Sequence, residues 1–204
     1  VVPRGTANAL CAVLGIPTQL DAAAALINRA PARCIDVAVV NGSSCMLLQC
    51  GIGLEAETVI RADRNLKNRF GPIAYQVAGI LPMYQQKHFT VDVTLYDVRD
   101  TPSFAGGACI ESKVLHLRGM KVKAVTIANA APSTSVLAHG IGAVSCDDGL
   151  LEFVVVSSHS MASLSYAMLD LFRSALLRKP LLRSDVFGLR ARRVDVTCYP
   201  PQRI

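Results

Sequence analysis

Tryptophan is absent from this 204-residue sequence, aromatic side chains make up only 5% of it and charged ones only 18%. With hydrophobic residues at 51%, so little charge excludes a disordered chain and leaves ample material for a buried core. The shortage of aromatics argues against nucleic acid, because patches that bind single strands interleave basic residues with stacking rings. No apolar run approaches the ~18 residues of a membrane span, and no charged leader followed by an apolar stretch resembles a signal peptide. Any membrane contact is therefore expected to be peripheral.

Short metal and nucleophile signatures are also missing. The seven cysteines, at 11, 34, 45, 50, 109, 146 and 198, contain no CxxC pair and mostly lie inside apolar runs, so buried thiols in a reducing cytosol are expected. The histidines at 88, 116, 139 and 159 show no HxxxH spacing, which argues against zinc chemistry. Ser157-Ser158-His159-Ser160 lacks a GxSxG elbow and reads as a helix cap.

What charge there is lies unevenly. Residues 173–204 hold eight basic side chains against two acidic ones, so the whole net excess of +6 falls in the last 32 residues. Such an end suits anionic lipid headgroups or phosphates better than nucleic acid, and it equally suits a solvated face.

Periodicity sets the expected elements. A helix from Ala9 should stop at Gly15-Ile16-Pro17, and Thr18 with Asp21 resembles a capping box for a second helix through residues 22–27. Residues 35–40 and 45–50, around Asn41-Gly42-Ser43-Ser44, predict a hairpin of two strands. Helical spacing follows over 55–67 and 73–84, with Gly71-Pro72 between. Residues 88–96 alternate strictly: Phe89, Val91, Val93 and Leu95 share one face, and Thr90, Asp92, Thr94 and Tyr96 the other. Further strands are expected over 109–117, 121–129, 150–157, 186–189 and 192–199. Met161, Leu164, Met168, Leu171, Phe172 and Ala175 mark the core face of a last helix. Hairpin order with few helices predicts an α+β fold, mainly an antiparallel β-sandwich-like core with helices packed at one end.

Three places could carry chemistry. Pro3-Arg4-Gly5-Thr6-Ala7-Asn8 opens into a helix, where backbone N–H groups gather phosphate, although the same residues make an ordinary cap. Asn129-Ala130-Ala131-Pro132, Gly140-Ile141-Gly142 and Ser145-Cys146-Asp147-Asp148-Gly149 offer paired carboxylates and carbonyls suited to Mg²⁺, or a plain turn. Gly51-Ile52-Gly53-Leu54-Glu55 leaves a strand with two glycines, which admit a ligand to the backbone or mark a bulge.

Taken in order, Pro3-Arg4-Gly5-Thr6-Ala7-Asn8 with Leu14-Gly15-Ile16-Pro17, Ile35-Asp36, Gly51-Ile52-Gly53-Leu54-Glu55-Ala56, Lys67-Asn68-Arg69-Phe70-Gly71-Pro72-Ile73-Ala74-Tyr75 and Asp148-Gly149-Leu150-Leu151 resemble the diacylglycerol kinase and sphingosine kinase family, particularly its bacterial branch. The words cover nearly the whole chain. The resemblance implies an ATP- and Mg²⁺-dependent kinase that phosphorylates the hydroxyl of a diacylglycerol-like or sphingoid lipid, cytoplasmic and in peripheral contact with an anionic membrane, a homodimer being compatible with it.

The same resemblance assigns residues. Thr6 would touch the ATP phosphates, with Gly5 and Asn8 shaping the turn. Asp148 would supply the carboxylate of a Mg²⁺ site, joined by backbone oxygens at Ser145 and Leu150. Glu55, where the family usually has Asp, would meet the lipid headgroup, and Lys67 and Arg69 would lie near the transferred phosphate. The family's GGDGT loop has no match here, and its proton acceptor is expected beyond Ile204. Residues 1–30 are therefore expected to be a remnant of the nucleotide-binding domain and 31–204 the β-rich lipid-binding domain, inactive alone, with an apolar cavity for the lipid tails. A non-catalytic lipid-binding module and an NAD-kinase-like enzyme remain the alternatives.

Overall fold

The computed structural model describes residues 1–5, 8–53, 56, 87–101, 110–132, 135–139, 144–157, 161–177, 179, 183–202 and 204. Two short helices come first, α1 (Ala9–Val13) and α2 (Leu20–Arg29). α1 ends at Gly15, whose φ of 67° only glycine adopts cheaply. α2 begins after Gln19, which makes no side-chain cap bond, so the Thr18–Asp21 capping box does not form.

β1 (Ala38–Val40) and β2 (Ser44–Met46) form a two-stranded ribbon. Asn41 and Gly42, at φ 50° and 71°, turn it with the left-handed geometry that tight hairpins favour. The expected second strand over 45–50 is broken at Leu47 and Leu48, and the chain resumes as β3 (Gln49–Gly53) in a different sheet.

That second sheet is antiparallel throughout. It joins β3, β4 (Phe89–Thr101), β5 (Ile110–Val122), β6 (Ala124–Ala128), β7 (Leu151–Val156) and β8 (Val186–Tyr199) in the order β3-β6-β7-β8-β4-β5. The two closing strands expected from sequence are one long strand, β8. Instead of the expected sandwich-like core, the described strands make a single six-stranded sheet with the small ribbon separate from it.

The alternation in β4 explains which side packs. Phe89, Val91, Val93 and Leu95 are all buried, and with Ile52, Val122, Val125, Phe153, Val155 and Leu189 they form the main core. Each such side chain contributes roughly 1.5–3 kcal/mol by leaving water, so a one-residue slip of β4 would forfeit the whole row. On the opposite face of β7, Val154 and Val156 meet Ala167 and Leu171 of α3 (Met161–Leu177), the only expected helix-face residue whose side chain is described being Leu171.

α3 is tied down by charge as well as by packing. Arg183 donates to Asp185 and Asp170, and it also reaches the Ser163 carbonyl. No described helix is long and apolar enough to cross a membrane. The expected helices over 55–67 and 73–84 lie outside the described residues. Among the described cysteines, Cys11 and Cys146 are buried, Cys50 and Cys198 half-buried, and Cys34 and Cys45 exposed, so the expectation of mostly buried thiols holds only in part.

Candidate functional site

The Asp148 turn stands at the entrance to β7. Gly149 adopts φ 71°, and the Leu150 amide donates back to Asp148 Oδ1 at 3.0 Å, closing a local side-chain turn. Its neighbour Asp147 accepts from Ser145 Oγ at 2.7 Å and is ion-paired with Arg33. The Ser145 hydroxyl and then the Arg33 guanidinium hold the Asp147 carboxyl below its usual range.

A segment more than a hundred residues earlier fixes this turn from the other side. The Asp36 amide donates to the Cys146 carbonyl at 2.7 Å, and Asp36 Oδ2 accepts from the Gly149 amide at 2.7 Å. Asn129 completes the clamp. Its buried side-chain amide donates to the carbonyls of Asp36 and Leu47, while its backbone amide donates to Leu48. The Asn129 and Ser145–Gly149 words are thus brought together, with Ile35-Asp36 joined to them. Gly140-Ile141-Gly142 lies outside the described residues.

Just inside β7 lies a carboxylate that sequence reasoning missed. Glu152 is 1% exposed, and Arg190 Nε is 3.4 Å from its Oε1 on the neighbouring strand, yet neither carboxylate oxygen completes a hydrogen bond. Burial pushes its pKa up to about 8; Arg190 and the backbone of Ser145 oppose the shift, while the Asp148 charge adds to it. An acid inside an otherwise apolar strand was the available signal.

The donor set fits a hard divalent cation. Asp148 is exposed, and Ser145 and Leu150 border it in sequence with backbone oxygens. Among the described residues no three His, Cys, Asp or Glu side chains converge, so such an ion would draw on carbonyls and water, as Mg²⁺ commonly does.

The other expected sites are less complete. The Gly5 amide donates to Asn8 Oδ1 at 2.8 Å, and Asn8 sits at φ 46° just before α1, so these two residues do share a turn. Thr6, Glu55, Lys67 and Arg69 lie outside the described residues. Gly53 has a structural reason to be glycine: at φ 76°, an added Cβ would lie 2.5 Å from the Phe89 ring and 2.7 Å from the Lys123 carbonyl.

Four of the eight basic residues of the C-terminal stretch are ion-paired. Arg183 pairs with Asp170 and Asp185, Arg190 with Glu152, Arg192 with Asp97, and Arg193 with Asp195. Arg193 also stands 5.0 Å over the Tyr96 ring. Among the described residues, the arginines of β8 therefore stand beside acids rather than forming one open positive patch.

No family model matches the sequence. The chain is 40% identical over all 204 residues to an uncharacterised Synechocystis protein, sll0036, of which it spans 43%. It is 31% identical over 83 residues to the lipid kinase YegS of Escherichia coli K12, an alignment covering 41% of this chain and 28% of that one. A similar stretch of 84 residues is 34% identical to a probable YegS-like lipid kinase of Stenotrophomonas maltophilia, covering 39% and 27%.

In structure the chain matches a Bacillus anthracis protein provisionally assigned as a diacylglycerol kinase, with a TM-score of 0.66 and 25% identity over 97% of this chain and 57% of that one. A second B. anthracis diacylglycerol kinase shares the fold at a TM-score of 0.58. The chain spans about half the length of these relatives. In fold over nearly its whole length, and in sequence over part of it, the chain is similar to the C-terminal part of the bacterial diacylglycerol kinase and YegS lipid kinases.

Proposed function

We propose that this chain is the lipid-side part of a kinase that transfers the γ-phosphate of ATP to the hydroxyl of a diacylglycerol-like or sphingoid alcohol. The observation that carries this is the Asp148-Gly149-Leu150-Leu151 turn, clamped by Asp36 at the head of β7 in a sheet that matches a diacylglycerol kinase fold. A turn serving only to reverse the chain needs no such long-range anchor on a carboxylate.

Asp148, with the backbone oxygens of Ser145 and Leu150, would hold Mg²⁺, which supplies charge neutralisation at the phosphates when bound. Gly5, Thr6 and Asn8 would meet the ATP phosphates, Lys67 and Arg69 the transferred phosphate, and Glu55 the lipid headgroup. In this assignment 1–30 belongs with the nucleotide side and 31–204 with the lipid side. The apolar tails would enter against the sheet, and contact with an anionic membrane would be peripheral.

The test is labelled ATP with a panel of lipid alcohols and the whole protein that carries this chain. The expected result is a Mg²⁺-dependent phospholipid product, reduced at least tenfold by Asp148→Asn, in line with the ~10–100-fold effects of disturbing metal surroundings. No labelled product from any lipid alcohol would overturn the proposal.

A further inference from the structure

The β1–β2 ribbon has one face packed and one face bare. Met46 is buried and Ala38 and Val40 are half-buried, so that side lies against the protein. Strand alternation turns Val37, Val39, Cys45 and Leu47 the other way, and all four are exposed, Val39 at 63% and Val37 at 50%. Val39 stands directly opposite Cys45, and Val37 and Leu47 flank that pair towards the base of the ribbon. No charged residue occurs between Asp36 and Glu55, and the turn offers only the uncharged polar groups of Asn41, Ser43 and Ser44.

Adjacent apolar side chains left in water mark a contact surface. A second protein is a poor match for this one, because a stable interface takes about 800 Å² and roughly 20–30 residues from each partner, far more than this small face presents. A lipid surface asks for less. It needs a few side chains that enter the acyl boundary, no charge to strip of water, and hydrogen-bonding groups at headgroup level. The ribbon has each of these.

Its attachment ties that face to the Asp148 turn. The Asn129 side-chain amide donates to the carbonyls of Asp36 and Leu47, at 2.9 and 3.0 Å, one at the base of each strand. Gly149, next to Asp148, donates to the Asp36 carboxylate at 2.7 Å. Whatever seats the ribbon therefore also seats the turn. We propose that the β1–β2 ribbon is a membrane-docking element: it lays Val37, Val39, Cys45 and Leu47 into the apolar boundary of a lipid bilayer and holds the Asp148 turn at its surface. This contact is apolar and needs no anionic lipid. The inference rests on the reading of this chain as the lipid side of a kinase and adds the element that meets the bilayer.

The experiment mixes the whole protein with vesicles of phosphatidylcholine and diacylglycerol, which carry no net charge. Wild type should sediment with them, and about 1 M NaCl, which screens charges beyond ~3 Å, should change binding less than about twofold. Val37→Thr with Val39→Thr keeps the β-branched shape and hence the strand, but sets two hydroxyls against the acyl boundary. That pair should weaken vesicle binding about tenfold or more, with circular dichroism and melting temperature unchanged. This sequence has no tryptophan, so Val39→Trp adds a reporter. The emission it adds to that of wild type should lie at long wavelength in buffer, then shift to shorter wavelength with vesicles and be quenched by bromine on the acyl chains.

Vesicle binding by the threonine pair within about twofold of wild type would overturn the proposal, as would no sedimentation of wild type with neutral vesicles. Short-wavelength emission from Val39→Trp before vesicles are added would assign the face to another part of the protein, and a change of mass in light scattering with the threonine pair would assign it to a second copy; either result overturns the proposal. If the threonine pair does not fold, the Val39→Trp emission decides. Phosphorylation of a short-chain diacylglycerol dissolved as monomers separates this inference from the kinase reading. The threonine pair should leave that turnover unchanged and lower only turnover on vesicles. No product from the soluble substrate with wild type would count against the kinase reading, while docking is judged by vesicle binding and emission alone.

Discussion

Asp36 and Gly149 are 113 positions apart, yet Oδ2 of the first accepts the backbone amide of the second at 2.7 Å. This bond fixes the loop that carries Asp148. Hydrogen bonds to charged groups contribute about 1.5–3 kcal/mol, and partial exposure here brings the expected value towards 1–2 kcal/mol. Asp36→Ala should lower stability by about that amount in denaturant unfolding and reduce lipid phosphorylation more steeply, because the loop loses its position. Asp36→Asn retains an acceptor oxygen and should cost less than about half as much. Equal stability of Asp36→Ala and wild type would remove the clamp from the account.

Gly53 ends β3 with a backbone geometry and a close approach that no other residue satisfies. A Cβ there would press into Phe89 and the Lys123 carbonyl, both within 2.7 Å, and the φ of 76° adds strain. Overpacking and left-handed backbone together cost about 2–4 kcal/mol, so Gly53→Ala should lower the melting temperature markedly. Gly15→Ala, at φ 67° but with open space around it, isolates the backbone part and should cost about 1–2 kcal/mol. Phe89→Leu should partly rescue Gly53→Ala by making room.

Arg183 links two elements through a fork. Its guanidinium donates to Asp185 and Asp170, and these partners, the Asp185 side chain first, hold its pKa well above the ordinary arginine value. Arg183→Ala takes the guanidinium away from Asp185, only 15% exposed, and should cost about 2–3 kcal/mol. Because the pair anchors α3, hydrogen exchange should accelerate in 161–177 before it does in β4. Arg183→Lys keeps the charge but not the fork and should recover less than half of the loss. Uniform exchange changes across the sheet would argue that the fork is not what holds α3.

How much of this was legible depended on the range of the interaction. The strand β4 was readable because its apolar residues alternate against a single core, and the hairpin turn at Asn41-Gly42 because its geometry is local. The Asp148 turn was visible as a word, but not its partner Asp36, since nothing in local spacing says which distant carboxylate meets the Gly149 amide. The join of 186–199 into one strand was hidden by the polar run Arg190, Arg192 and Arg193, whose charges are met by acids on neighbouring strands or on β8 itself. A count confined to 173–204 leaves out Glu152 and Asp97, acids on other strands that meet two of those arginines. Glu152 was passed over because it sat beside the motif rather than in it.

With the β8 arginines beside acids, the proposed contact with an anionic membrane would fall to α3 rather than β8. Tyr166, Leu169 and Leu177 on α3 are all more than half exposed, and with exposed Arg173 they recur at the spacing of one helical stripe, turned away from buried Ala167 and Leu171. A stripe of Tyr and Leu beside a basic residue inserts its apolar parts at a headgroup boundary while the cation meets lipid phosphate. With vesicles containing anionic lipid, Leu169→Ser with Leu177→Ser should reduce sedimentation of the whole protein severalfold, and Arg173→Gln should lower it in low salt more than in high salt. Arg192→Gln with Arg193→Gln should change it less than about twofold, because Asp195 faces Arg193, and Asp97, shared with Arg99, faces Arg192. If the β8 pair proved the stronger of the two double substitutions, membrane contact would belong to the sheet and not to α3.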